Sequence, residues 1–331
     1  MRQARFAASA AMLLVVLASA GAGAQSPSTG SGQAFPARPV RYVMPLPAGQ
    51  ETDVFARILA RRLSEGLGQN VIVDNRPGGG TVIGTDLAAK AAPDGYTLVH
   101  VLTAHAINPT LQPKLPYDTL KDFACVSHLG NFSSVLVAHP SFPAKNLADL
   151  VRLAQAQPGK FVYATGPIGT TNHILGETLN VAAGIRLQHI AYKGGGPAVQ
   201  ALLAGDVPLV ANVVLEMLPY IRTGRVRTIA VMGPKRTASL PDVPTIGESL
   251  PAYKSGASFW ALVTRAGTPA AVIKRLNADV AKAMQAADVR ERVAQMDIEA
   301  IASTPAQCEA FLRAEIKTWG SIVRASGAKA G

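Results

Sequence analysis

From about residue 36 onward, short apolar runs alternate with stretches whose apolar residues recur every three or four positions. A run of four to eight apolar residues bounded by turn formers reads as a strand, and a three-to-four spacing reads as one face of a helix. Strands are predicted at 40–44, 71–74, 97–102, 135–138, 161–164, 187–191, 207–211, 228–232 and 259–263. A helix over 53–63 places Val54, Phe55, Ile58, Leu59 and Leu63 on one face, and Gly66 and Gly68 stop it. A second, over 82–91, ends at Pro93-Asp94-Gly95. A third is expected after Thr268-Pro269, read as an N-cap followed by proline at the first helical position. Strands alternating with helices predict an α/β fold: mostly parallel sheets flanked by helices. No short repeat is present, so solenoids and propellers are excluded.

Open α/β sheets bind ligands at the carboxyl ends of their strands, which directs attention to the strand-to-helix loops. Three are built from Gly, Pro, Thr and Ser: residues 45–52, 165–171 and 192–197. A helix start leaves N–H groups unpaired and carries a partial positive charge, so a carboxylate can be held there without a dedicated arginine. In these loops Gly49 and Gly169 let the backbone come close, Thr170 and Thr171 offer hydroxyls, and Lys193 offers a charge. Each loop taken singly is also what an ordinary turn would look like. His173, just inside the helix after Thr171, is a candidate for reaching a ligand, with a packed or capping histidine as the alternative. The loop Arg76-Pro77-Gly78-Gly79-Gly80-Thr81 lacks the phosphate-binding spacings and is read as a structural turn, with a place near the cleft left open.

Length and composition change the picture in two ways. At 331 residues, 48% hydrophobic and 16% charged, the chain exceeds one ordinary core and needs no metal or disulfide framework to fold, so two lobes are expected. The N-terminus is a different material: Arg2 and Arg5 precede an apolar run over 6–20, followed by Ala22-Gly23-Ala24. That pattern predicts a signal peptide over 1–24, too short in its apolar core to span a bilayer, then a tether over 25–35. The expected location is therefore periplasmic.

The formal charge is +11, and loss of Arg2 and Arg5 with no acid takes it to +9. Lys and Arg are scattered, with no basic run interleaved with aromatics, so no nucleic-acid partner is expected. Cys125 and Cys308 would meet an oxidising compartment, where one disulfide can form; their separation in sequence leaves the pairing open. The six histidines show no metal-ligand spacing, no G-x-S-x-G occurs, and nothing assembles a nucleophile, base and oxyanion hole. No metal, no cofactor and no catalytic residue is expected.

Ordered motifs then make the chain recognisable: Pro45 to Gly49 with Asp53, Asp74-Asn75-Arg76-Pro77-Gly78, Ala92-Pro93-Asp94-Gly95-Tyr96, Asn108-Pro109 and Leu115-Pro116-Tyr117-Asp118. They continue with Gly169-Thr170-Thr171, Tyr192-Lys193-Gly194, Leu240-Pro241-Asp242-Val243-Pro244-Thr245 and Ala266-Gly267-Thr268-Pro269. From about Pro36 to Gly327 the sequence resembles the substrate-binding (Bug-type) receptors of tripartite tricarboxylate transporters. The resemblance implies a type II periplasmic binding fold: two lobes, a hinge, and a cleft for a small carboxylate delivered to a membrane permease or signalled to a membrane sensor. An extracytoplasmic enzyme is the rival from another class. A monomer is expected. The implied lobes are 36–131 plus 258–305 and 132–257 plus 306–331, with the C-terminal helix packed across the second.

Carried over residue by residue, the resemblance puts Leu46, Ala48 and Gly49 at one end of the ligand, with Gln50 and Asp53 beside them, and Thr165, Gly169, Thr170 and Thr171 at the other. The chain departs from the family pattern at Leu46, usually Phe; at Gln50, usually Gly; and at Asn212, commonly an Asp that pairs with a ligand ammonium, where the uncharged Asn argues against a zwitterionic amino acid. Glu51 and Glu216 replace small or polar residues. Glu51 is read as satisfying its helix N-terminus; if either glutamate faces the cleft, a cationic or amide-bearing ligand gains ground.

Overall fold

The computed structural model describes residues 35–328. The expected signal peptide, and the tether up to residue 34, lie outside the described residues. Two sheets organise the rest. The first contains β1 (Val40–Met44), β2 (Val71–Asn75), β3 (Thr97–Leu102), β4 (Phe123–Phe132), β10 (Ser258–Arg265) and β11 (Glu299–Ala300), in the order β11-β4-β10-β3-β1-β2. The second contains β5 (Ser134–Ala138), β6 (Val162–Thr165), β7 (Gln188–Ala191), β8 (Leu209–Val213) and β9 (Arg227–Val231), in the order β7-β6-β8-β5-β9.

The chain leaves the first sheet at Phe132, enters the second at Ser134, and is back in the first at Ser258. The strands that carry it across, β5 and β10, arrive from the far lobe and so run antiparallel to β8 and β3. Strands joined by helical crossovers stay parallel: β1 with β2 and β3, β6 with β7 and β8. The two strands that periodicity misses are β4 and β11. In β4 the apolar run is broken by Ser127, His128, Gly130 and Asn131, and its pairing with β10 shifts register twice.

Helices cover both sheets: α1 (Glu51–Leu67), α2 (Val82–Ala89), α3 (Ala104–Leu111), α4 (Leu147–Ala156), α5 (Thr171–Ala183), α6 (Gly195–Ala204), α7 (Val214–Arg222), α8 (Ile246–Ser249), α9 (Ala270–Met284), α10 (Ala287–Gln295) and α11 (Pro305–Ser326). In α1 the face made by Phe55, Leu59, Leu63 and Leu67 is buried, and Gly68 closes the helix in the left-handed conformation at φ 67°. The N-cap expected at Thr268 is corrected. The helix begins at Ala270 after Pro269, and the Thr268 hydroxyl donates instead to the Arg265 carbonyl at 2.7 Å.

Helix α11, expected across the second lobe, packs on α5 of that lobe and also on α3 and β4 of the first. Its Leu312, Trp319, Ile322 and Val323 join one apolar core that runs from Val99 and Ile107 to Leu136 and Leu175. It also grips the returning chain: Trp319 Nε1 donates to the Ala257 carbonyl at 3.2 Å, and Glu315 accepts from the Ala257 N–H at 3.0 Å. Cys308 of α11 is disulfide-bonded to Cys125 of β4, with Cα atoms 5.9 Å apart, which answers the question the sequence left open.

That bridge closes a loop of 183 residues in sequence separation, a span over which cross-linking restricts the unfolded chain strongly. Reduction, or replacement of both cysteines by serine, should lower stability by about 2–4 kcal/mol. Thermal melts with and without reductant should differ by roughly 5–10 °C; coincident melts would show the bridge to be unimportant.

Candidate functional site

At six places a strand runs into a helix through a short loop, and all six helix starts line one cleft of about 1590 Å³ between the lobes. The first lobe supplies Gln50 and Glu51 of α1, Thr81 and Val82 of α2, and Ala104 of α3. The second supplies Thr170 and Thr171 of α5, Gly194 and Gly195 of α6, and Val213 and Val214 of α7. None of these six helices has a side-chain cap. Away from the cleft, α4, α8 and α11 are capped by Asn146, Thr245 and Thr304, while α9 and α10 start at Pro269 and Ala286 without a side-chain cap. Helix starts around one cavity add their positive ends to its field, and without a side-chain cap they keep part of their N–H groups free, although Val82 and Ile83 of α2 donate to the Gly79 and Gly78 carbonyls and Val214 of α7 to that of Ser133. A smaller depression of about 410 Å³, beside Arg41, Ile72 and Asp74, has no such helix starts.

Of the residues expected at the site, Leu46, Gly49, Gln50, Gly169, Thr170, Thr171, Lys193 and Asn212 line the cleft. Four do not. Ala48 is exposed beside it. Thr165 is fully buried, with its hydroxyl hydrogen-bonded to the Gly166 carbonyl at 2.9 Å and to His189 at 2.7 Å. Asp53 and His173 are buried supports of the two principal loops.

Asp53 holds the loop before α1. Its carboxylate accepts from the Gly49 N–H at 2.9 Å, Arg57 Nε at 2.9 Å and Asn75 Nδ2 at 2.8 Å, while Asn75 Nδ2 also donates to the Leu46 carbonyl at 3.0 Å. Burial pushes the carboxyl up, but Arg57, the Gly49 N–H and Asn75 outweigh it and hold it below the ordinary carboxylate range. The Gly49 N–H is thereby spent inside the protein, and Gly49 serves through its left-handed backbone at φ 85°.

His173 does the same for the loop before α5. Its Nδ1 accepts from the Gly169 N–H at 3.2 Å, so this nitrogen carries no proton, and its ring lies 4.3 Å from that of His189. The Thr170 hydroxyl turns inward to the Pro167 carbonyl at 2.8 Å. Asn172, unforeseen in the sequence, lines the cleft and accepts from Ser134 Oγ at 2.6 Å.

The loop over 76–81 is a turn, and it reaches the cleft: Pro77, Gly78, Gly79, Gly80 and Thr81 form part of the wall. Gly78, Gly79, Gly80 and the non-glycine Thr81 all have positive φ, and Asn108 Nδ2 pins the Gly80 carbonyl at 3.0 Å. Its position at a strand's carboxyl end was the available signal. Trp260, hidden in a long buried strand, also lines the cleft and gave no such signal.

Charge in the cleft is mixed. Lys114 and Lys193 are positive, and Glu51, Glu216 and Asp297 are negative. Glu51 both lines the cleft and pairs with Arg292 of α10. Asp297 accepts from the Ser239 N–H at 3.1 Å and from the Thr237 hydroxyl. Among the described residues no cluster of His, Cys, Asp and Glu could hold a metal ion, and no helix is long and apolar enough to cross a membrane.

Residues 55–328 match the tripartite tricarboxylate transporter family receptor. The chain belongs to this family. Protein BugT of Bordetella pertussis is 37% identical to this receptor over 302 residues, covering 90% of this chain and 92% of BugT. Among solved structures, R. palustris Rpa4515 with adipate has a TM-score of 0.80 at 30% identity, covering 89% of this chain and 99% of that one. MatC from Rhodopseudomonas palustris with bound malate has a TM-score of 0.77 at 29% identity, covering 87% and 100%. The receptor thus has the expected two-lobed, type II periplasmic binding fold.

Buried histidines give the receptor a defined acid sensitivity. Burial lowers His105 and His189 from 6.5 to about 4 and His100 to about 3, and it lowers His173 as well. A histidine with a depressed folded pKa takes up its proton more readily when unfolded. The stability it contributes is complete above about pH 6.5 and is lost as pH falls toward the folded value, at about 1.4 kcal/mol for each pH unit between the two. Asp53 adds a loss below the ordinary carboxylate range, because its folded pKa is depressed. Melting temperature should therefore be level near pH 7–8 and fall steadily from pH 6.5 to 4, and His189→Asn should flatten part of that fall. A melt that stays level down to pH 4 would contradict this account.

Proposed function

We propose that this receptor captures a small carboxylate-bearing molecule outside the cytoplasm and delivers it to a membrane permease, without chemical turnover. The observation that carries the reading is the ring of six uncapped helix starts around one cleft. Unpaired N–H groups and helix dipoles favour an anion, and loops from both lobes let one ligand touch both. Family membership supports the transport role, and the adipate and malate in the two related structures support the ligand class. Gly49, Gln50 and Leu46 would meet one end of the molecule, and Gly169, Thr170, Thr171, Lys193 and Asn212 the other. Asp53 and His173 act behind them by shaping the loops. A ligand that touches both lobes favours the closed form only by its higher affinity for it, and closure would signal occupancy to the permease.

Thermal-shift screening against small carboxylates tests the ligand class. A ligand at a hundred times its Kd adds about 2.7 kcal/mol, a shift of roughly 5–10 °C at this size. Gly196 offers a blocking variant, because it lines the cleft, has no positive φ, and has nothing within 4 Å of an added Cβ. Gly196→Phe should leave the melt of the empty protein nearly unchanged and abolish the ligand shift. Shifts produced by sugars but by no acid would sink the carboxylate reading. Mass spectrometry of an incubated ligand that finds a product would sink the non-enzymatic one.

A further inference from the structure

Among the described residues, Glu216 and Asp297 are the cleft acids that form no ion pair, and Glu216, with a single hydrogen-bond donor, is the less satisfied of the two. Glu51 is neutralised by Arg292, and Asp297 is bound by Ser239 and Thr237. Glu216, the third residue of α7 and half-buried in the cleft wall, accepts one hydrogen bond, from Asn212 Nδ2 to its Oε2 at 2.7 Å. Among the described residues no Lys, Arg or His forms an ion pair with it. Asn212 is itself fixed. It is 3% exposed, and its Oδ1 accepts from the Val213 N–H at 2.8 Å, which turns the amide nitrogen toward the glutamate.

The start of α6 is built around this pair. A Cβ on Gly195 would lie 2.7 Å from Glu216 Oε2 and 3.0 Å from both Asn212 amide atoms. The φ of Gly195 is not in the left-handed region, so the missing side chain answers a need for space and not for backbone freedom. Three elements thus close around Oε2 and leave Oε1 as an acceptor without a partner among the described residues. A ligand carboxylate brought against this wall meets like charge. An N–H group meets a charged acceptor, and such hydrogen bonds are the strong ones.

We propose that Glu216, positioned by Asn212, selects a ligand that carries an N–H donor, an amide or an ammonium, on the end facing α7. Its carboxylate is left to the uncapped helix starts elsewhere in the cleft. The assignment rests on the cleft being a carboxylate-binding site and narrows it from diacids to amino or amido acids.

The test is calorimetric titration of the full chain with succinate, succinamate, 4-aminobutanoate, butanamide and butylamine, and with their six-carbon homologues. The wild-type protein should bind an amido or amino acid at least tenfold more tightly than the diacid of equal length. Glu216→Gln should cut that ratio at least tenfold, and Glu216→Asp, which keeps the charge, should retain the preference. Melts of the unliganded variants control for folding. A preference for diacids that Glu216→Gln leaves unchanged would overturn the role of Glu216 and leave carboxylate binding standing. Binding of butanamide or butylamine alone, lost in Glu216→Gln, would support Glu216 and overturn the carboxylate reading. Silence across the whole panel would overturn both.

Discussion

The starts of α1, α2, α3, α5, α6 and α7, none of them capped by a side chain, are the feature around which the molecule is arranged. In an α/β lobe each parallel strand must pass to a helix at its carboxyl end, and those ends lie on one side of the sheet. Two such lobes face each other across the cleft, so six helix starts meet there. Elsewhere Asn146, Thr245 and Thr304 satisfy helix starts with their own side chains. Around the cleft loop carbonyls satisfy part of the N–H groups, as at Val82, Ile83 and Val214, and no side chain caps the rest.

Such a ring needs loops that stay in place when empty. Asp53 and His173 provide this from behind, each buried and each accepting a glycine N–H, of Gly49 and Gly169. The arrangement divides labour within each loop: a glycine gives the backbone path, and a buried polar side chain a few residues later fixes it. Both buried groups keep the protonation state that the contact needs, because local partners hold Asp53 ionised and burial keeps His173 neutral.

The lobes are also tied at the back. Helix α11 carries a core shared by both sheets, a disulfide to β4, and two hydrogen bonds to Ala257 on the returning strand's approach. A basic protein with a mixed-charge cleft is then less paradoxical than it looks. Its Lys and Arg are scattered over the surface, some in ion pairs such as Arg61 and Arg62 with Asp288, which contribute little individually.

Local physics made much of this legible in the sequence. Nine strands, the α1 face, the glycine-rich loops before α1, α5 and α6, and the family itself follow from periodicity, turn residues and ordered motifs, all of which act over a few positions. Strand β4 was not legible, because its register is set by β10, more than a hundred residues away. Nor could spacing say that Thr165 faces inward, that the loop over 76–81 reaches the cleft, or that Cys125 meets Cys308. Those outcomes depend on two chain crossings, near Ser133 and Ser258, that bring distant segments together. Residue types and their order were enough to say which groups could hold an anion. Packing of the two lobes fixed which of them share a wall, and so left Glu216 facing the cleft without a counter-charge, because charge compensation is a property of neighbours in space.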